Sequence, residues 1–120
     1  MQVLLATPDR LAAHALARDL ERAGFAPLAS SPAAAQAALE AIGGPRVVVL
    51  DAASGGAELC RRLRSGPDYV FCALLVEAGD ERAHEDADVV LQRPVDSAEL
   101  LIPLRAARRL LHPDDASRFA

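Results

Sequence analysis

The sequence predicts a single α/β domain in which a five-stranded parallel sheet carries helices on both faces. Three observations point there. The chain has 120 residues, one domain's length and enough to bury a core without disulfides or metals. Short, continuous apolar runs recur along it, the pattern of strands covered on both faces. Between them lie segments with apolar residues at helical spacing, opened by Ser, Thr or Asp beside proline and closed by glycine. Five strands alternating with five helices close into a parallel sheet through crossover connections.

Each element has its own signal. Val3, Leu4, Leu5 and Ala6 read as the first strand. Thr7-Pro8-Asp9 opens the first helix, with Thr7 as the cap, Pro8 at the first position, where no N–H is needed, and Asp9 at the positive end of the dipole. Leu11, Ala12, Ala15, Leu16, Leu20 and Ala23 then form an apolar stripe, with His14, Arg18 and Arg22 opposite, and Gly24 stops the helix. Residues 25–29 are a weak strand that Pro27 confines to a sheet edge, because proline cannot donate to a ladder. Ser31-Pro32 repeats the helix start for an alanine-rich helix over 33–42, ended by Gly43-Gly44.

Residues 46–50 are the strongest strand, β-branched in the middle, and it ends on Asp51. A glycine-bearing loop over 52–56 leads to a helix over 57–64 that Ser65-Gly66-Pro67 breaks. Residues 69–76 form another buried strand. The polar, acidic stretch 78–88 has room for only a turn or two, a reduced fourth helix. Residues 89–91 make a fifth strand, followed by Gln92-Arg93-Pro94. Asp96 to Glu99 has capping-box spacing and opens the last helix, whose apolar positions include Leu100, Leu104, Ala107 and Leu111. Pro103 inside it predicts a kink or a late start. The domain spans 1–112, and 113–120 read as a tail or the start of a linker.

Composition narrows the function. Hydrophobic residues make up 52% and aromatics only 3%, so the core is aliphatic. A net charge of −4 argues against a nucleic-acid surface, which needs a clustered basic face. The arginines at 61, 62 and 64, and at 105, 108 and 109, fall at helical spacing and read as solvated helix faces. Cys60 and Cys72 sit in apolar patterns without a pairing signature, as small buried side chains in a reducing compartment rather than a disulfide or metal framework. No signal peptide is visible and no apolar run approaches the ~20 residues that span a bilayer. The expected compartment is the cytoplasm, with no membrane contact. The Arg-rich last helix and abrupt tail suggest a piece of a longer chain.

In a doubly wound sheet, functional groups gather beyond the carboxyl ends of the strands. That rim holds Thr7 to Asp9, Asp51 to Ser54, Val76 to Ala78 and Gln92 to Pro94. Neither glycine pair follows a strand in a dinucleotide or P-loop pattern, and the loop after the first strand has one hydroxyl and no glycine, which disfavours a flavin site. His14 reads as solvated, and His84 with Glu81, Glu85, Asp86 and Asp88 as a solvated acidic loop without metal-ligand spacing.

The rim also carries a family resemblance. Val3-Leu4-Leu5 before a rim acid, Val47 to Asp51, Ala57-Glu58-Leu59 with Arg61 and Arg62 downstream, and Ala87-Asp88-Val89-Val90-Leu91-Gln92-Arg93-Pro94 resemble response-regulator receiver domains of the CheY-like superfamily over residues 2–111. The last stretch is similar to the family's Ala-Asp-Asp-Tyr-Leu-Thr-Lys-Pro. The resemblance implies a flavodoxin-like strand order, 2-1-3-4-5, and a phosphoacceptor at Asp51. In the family, two acids after the first strand help hold Mg²⁺, a Thr or Ser ends the fourth strand, and a Lys precedes the proline after the fifth.

This chain departs from that set. The acidic slots fall on Thr7 and Pro8, or on Pro8 and Asp9, and proline offers no side-chain ligand. The hydroxyl slot falls on Val76 or Glu77, the Lys slot on Arg93, and the aromatic of the fifth strand on Val90. Transfer of a phosphoryl group to a carboxylate needs its charge neutralised by a metal and a cation, so a degenerate, pseudo-receiver pocket is expected. No metal is expected there, Asp9 and Asp51 being its weak candidates, and Mg²⁺ enters only in the alternative of a working phosphoacceptor at Asp51. The expected pairing is Arg93 with Asp51, with or without Glu77. The chain then acts through protein contact rather than as an enzyme. Its partner is another signalling protein or domain, a histidine kinase or output domain, or a second copy. Residues 79–111 supply the surface, with Val90, Leu91, Arg105 and Arg109 as candidates.

Overall fold

The computed structural model describes residues 1–40, 44–66, 68–80 and 86–111. Five strands, β1 (Gln2–Ala6), β2 (Ala26–Ala29), β3 (Val47–Asp51), β4 (Phe71–Val76) and β5 (Val89–Gln92), pair in parallel in the order β2-β1-β3-β4-β5. Four α-helices cover them among the described residues: α1 (Arg10–Arg22), α2 (Ala35–Glu40), α3 (Gly56–Arg64) and α4 (Ser97–Leu111). The predicted fold class and strand order hold. Residues 81–85, where a reduced fourth helix was expected, the predicted end of the second helix at 41–43, and residues 112–120 lie outside the described residues.

The strands' period of two builds two cores. Val3, Leu5, Val47, Val49, Ala73 and Leu75 face α1 and α4, meeting Leu16, Leu20, Leu100 and Leu104. Leu4, Ala6, Val48, Leu50, Leu74 and Val76 face the other way, meeting Ala35 of α2 with Leu59 and Cys60 of α3. Burial on both faces is why β1, β3 and β4 read as unbroken apolar runs. The edge strand β2 is largely exposed, as Pro27 requires.

Several local expectations are corrected. Asp9, not Thr7, caps α1: its Oδ1 accepts from the N–H groups of Leu11 and Ala12 at 3.1 Å each, while Thr7 Oγ1 donates to the Asp9 carbonyl at 3.3 Å. The cap therefore sits two residues later, and the buried stripe of α1 differs from the predicted one. Ala13, Leu16 and Leu20 are buried, whereas Leu11 is 85% exposed and Ala12 and Ala15 are also outside. Ser31 caps as expected, accepting from Ala34 N–H at 3.2 Å, but Pro32–Ala34 form a 3₁₀ turn before α2 begins at Ala35. The strand expected from Tyr69 starts at Phe71.

Pro103 neither delays nor divides the last helix. α4 starts at Ser97, where Asp96 Oδ1 accepts from Ala98 N–H at 3.3 Å and the Asp96 carbonyl from Leu100 N–H at 3.1 Å, and it continues through Pro103. Leu100, Leu104 and Ala107, at most 1% exposed, hold it to the sheet on both sides of the proline. Since an interior proline costs a helix about 3 kcal/mol relative to alanine, tertiary packing is overriding propensity. Pro103→Ala should restore the N–H lost at that position and stabilise the domain by about 2 kcal/mol, after the entropy that proline removes from the unfolded chain is discounted. Urea denaturation checks this, and a less stable variant would contradict it.

Candidate functional site

Parallel pairing brings the ends of β3, β4 and β5 to one rim. The register sets Asp51 beside Leu75 and Val76 beside Gln92. Arg93 N–H then donates to the Val76 carbonyl at 2.9 Å, which carries the ladder one step past β5 and holds Arg93 alongside the tip of β4, where Glu77 follows.

Asp51 is 3% exposed, and no other buried side chain among the described residues is charged or polar. Both carboxylate oxygens are occupied. Oδ1 accepts from Ala53 N–H at 2.9 Å, capping the 3₁₀ turn Ala52–Ser54, and Oδ2 accepts from one terminal nitrogen of Arg93 at 2.6 Å. The other terminal nitrogen of the same guanidinium pairs with Glu77. One arginine thus bridges a buried and an exposed carboxylate, which the planar fork of guanidinium suits better than a lysine ammonium. The Arg93-Pro94 peptide is cis, and Pro94 is exposed.

The remaining rim positions are not drawn into this cluster. Val76 is buried in the core, at 1% exposure. Thr7 and Pro8 line a groove with Arg10, His14 and Ser30 between α1 and the end of β2. A separate cleft of about 480 Å³ opens beside Asp51, between α2 and α3, and Ser31, Ser54, Gly56 and Arg62 line it. Asp9 is spent as a helix cap. Val90 and Leu91 are half-buried against the two cores, whereas Arg105 and Arg109 are exposed on α4.

These residues do not fit Mg²⁺, which takes oxygen ligands in near-octahedral geometry. Pro8 has no side-chain donor, the Asp9 carboxylate holds its own helix, and the oxygen that Asp51 would offer carries a guanidinium. Among the described residues no group of three or more His, Cys, Asp or Glu side chains is placed to hold a metal ion.

Two functional details escaped the sequence. Gly56 lets α3 start against β3: a Cβ there would lie 2.5 Å from the Asp51 carbonyl oxygen. Asp88, read as part of a solvated acidic loop, is instead a hub below β4. It accepts from Cys72 N–H at 2.8 Å, Tyr69 hydroxyl at 2.7 Å and Arg64 at 3.0 Å. Burial, then the hydrogen bond to Asp88, pushes the Tyr69 phenol up to about 12. No spacing rule marks either residue, since each works across elements. Glu81, His84 and Glu85 of that loop lie outside the described residues.

The sequence matches no protein-family model and no curated protein. Solved structures do match in three dimensions. A signal receiver domain of a response regulator from Bermanella marisrubri superposes with a TM-score of 0.74 at 20% identity, covering 88% of this chain and 95% of that one. A CheY-like receiver domain from Methylobacillus flagellatus gives 0.75 at 24% identity, over 88% and 97%. The signal receiver domain of a DNA-binding response regulator from Colwellia psychrerythraea 34H gives 0.76 at 18%, over 89% and 97%. The chain has the receiver fold. Its Asp51 stands at the end of the central strand of that fold, and Arg93 stands one residue past the fifth. No helix among the described residues is long and apolar enough to cross a membrane.

Proposed function

We propose that this chain is a receiver-like signalling domain, not an enzyme, that works through contact with another signalling protein or domain and whose phosphorylation pocket is closed by its own arginine. The observation that carries this is the single guanidinium of Arg93 on both Asp51 and Glu77. A phosphoacceptor carboxylate must present a free oxygen to phosphorus, with cations arranged around the incoming oxygens. Here one Asp51 oxygen caps a turn and the other neutralises an arginine. The pocket needs no cofactor in this reading.

Partner contact falls on α4. Ala98, Ile102, Arg105, Ala106, Arg109 and Leu110 recur at helical spacing and are all exposed, Ile102 at 71% and Leu110 at 65%. Such a stripe, apolar with two cations, suits a protein surface with matching acidic groups, on a kinase, an output domain or a second copy.

The chain incubated with Mg²⁺ and acetyl phosphate should keep its intact mass, and beryllofluoride should leave its amide NMR shifts unmoved. Stoichiometric phosphorylation of Asp51 would instead establish the working-receiver reading, which the position of Asp51 beside an open cleft supports.

A further inference from the structure

The groove between α1 and the end of β2 lies apart from the Asp51 cluster and has a chemistry of its own. It opens at the carboxyl ends of β1 and β2, on the rim where doubly wound sheets receive ligands, and encloses about 520 Å³. Leu5, Ala13, Ala17 and Ala29 give it an apolar lining, beside which stand Arg10, His14 and Ser31. Among the described residues no carboxylate lines it, and it shares no side chain with Asp51, Arg93 or Glu77. We propose that this groove binds a small phosphomonoester with a compact apolar body, its phosphate held by Arg10, His14 and Ser31.

Existing hydrogen bonds decide which lining groups are free to donate. Thr7 Oγ1 and Ser30 Oγ already donate to the carbonyls of Asp9 and Ser31, at 3.3 and 2.9 Å. Ser31 Oγ accepts from Ala34 N–H at 3.2 Å, which leaves its own proton to give. Arg10 and His14 hold no hydrogen bond or ion pair among the described residues. Four apart on α1, they rise from one face on successive turns, with Cβ atoms about 6 Å apart. A guanidinium fork, an imidazole N–H and a hydroxyl are thus the free donors, a set suited to the three terminal oxygens of a phosphate monoester. Asp9, the acid nearest to them in sequence, gives its Oδ1 to the N–H groups of Leu11 and Ala12 and does not line the groove.

Both parts of the ligand are needed. Arg10 and His14 are exposed, and ionic contacts made at a wet surface are individually weak. An apolar body laid against Leu5, Ala13 and Ala17 removes its own surface from water and supplies the rest. The three alanines of the lining leave the room that larger side chains would fill. Occupation also reaches the second helix, because Ser31 caps the 3₁₀ turn that leads into α2 and lines the Asp51 cleft as well. The site does not depend on whether Asp51 accepts phosphate.

Titrated into the full chain, phenyl phosphate should move the amide shifts from Arg10 to Ala17 and at Ser31, Ala33 and Ala34, and leave that of Arg93 in place. Calorimetry should show it binding about tenfold tighter than inorganic phosphate, the effect of burying the ring. Arg10→Gln, at an exposed helical position, should weaken phenyl phosphate about tenfold. Arg18→Gln removes the same charge from the same helix but outside the groove, and should leave the affinity unchanged. Ala29→Leu should erase the advantage of phenyl over inorganic phosphate while the net charge stays constant. Absence of binding, equal losses from Arg10→Gln and Arg18→Gln, benzoate binding as tightly as phenyl phosphate, no preference over inorganic phosphate, or shifts centred elsewhere would each overturn the proposal.

Discussion

Arg93→Met should destabilise the domain by about 3 kcal/mol, at the low end of what removing one partner of a buried ion pair costs. The low end applies because Arg93 keeps 28% of its side-chain surface, whereas Asp51 keeps 3%. Asp51 would be left charged in the core margin with only Ala53 N–H to satisfy it. For a domain of this length the loss corresponds to a fall of about 10 °C in Tm. Arg93→Lys should fall between, since an ammonium keeps the charge but cannot fork across two carboxylates. Adding Asp51→Asn to Arg93→Met should recover most of the loss, because the asparagine retains the turn cap and removes the orphaned charge. Urea denaturation of the wild type, Arg93→Met, Asp51→Asn and the double variant closes a double-mutant cycle. A methionine variant as stable as the wild type would mean that the bridge contributes nothing to holding the pocket.

The second large effect is expected at Gly56. Alanine is normally better than glycine in a helix by about 1 kcal/mol, and propensity alone would make Gly56→Ala stabilising. Sterics reverse the sign. The added methyl would meet the Asp51 carbonyl oxygen at 2.5 Å, its carbon at 2.8 Å and Leu50 Cβ at 3.0 Å. The first two are backbone atoms of the central strand and cannot rotate away, so α3 must lift or β3 must bend. A loss of about 2–3 kcal/mol is expected, the range of an overpacked core, with amide shifts moving at Asp51 and along α3. Gly66→Ala is the control, because its methyl would come no nearer than 3.4 Å to Leu63 O. That variant should stay within about 0.5 kcal/mol of wild type, as surface substitutions do. Equal stabilities for both variants would show that the close approach of α3 is not a constraint.

These two residues mark where sequence reasoning reached and where it stopped. Asp51 was legible because a carboxylate ending a β-branched run is conspicuous, and Arg93 because a proline motif places it. Their pairing was a matter of chemistry, opposite charges expected on one rim. The reach of the same arginine to Glu77 needed the register of β4 against β5. Gly56 read as an ordinary loop glycine, since nothing in the order of residues says how near α3 passes to a carbonyl five positions earlier. At the start of α1, Thr7 and Asp9 are both good caps by type. The competition was decided by which carboxylate or hydroxyl faced two free N–H groups, whereas Leu11 was misplaced because it lies about half a turn round the helix from the buried Leu20.

What the amino-acid order determined unaided was the parallel sheet and its helices. Doubly covered strands demand continuous apolar runs and helices demand stripes, and both are periodic, local properties. The tertiary structure alone decided that Arg93 reaches both carboxylates at once, that Asp88 takes Tyr69 and Arg64, and that Cys60 and Cys72 share one core. Those contacts depend on strand register and on the depth at which helices dock. Both are settled by packing over the whole domain, where a shift of one residue in a strand turns every side chain to the opposite face.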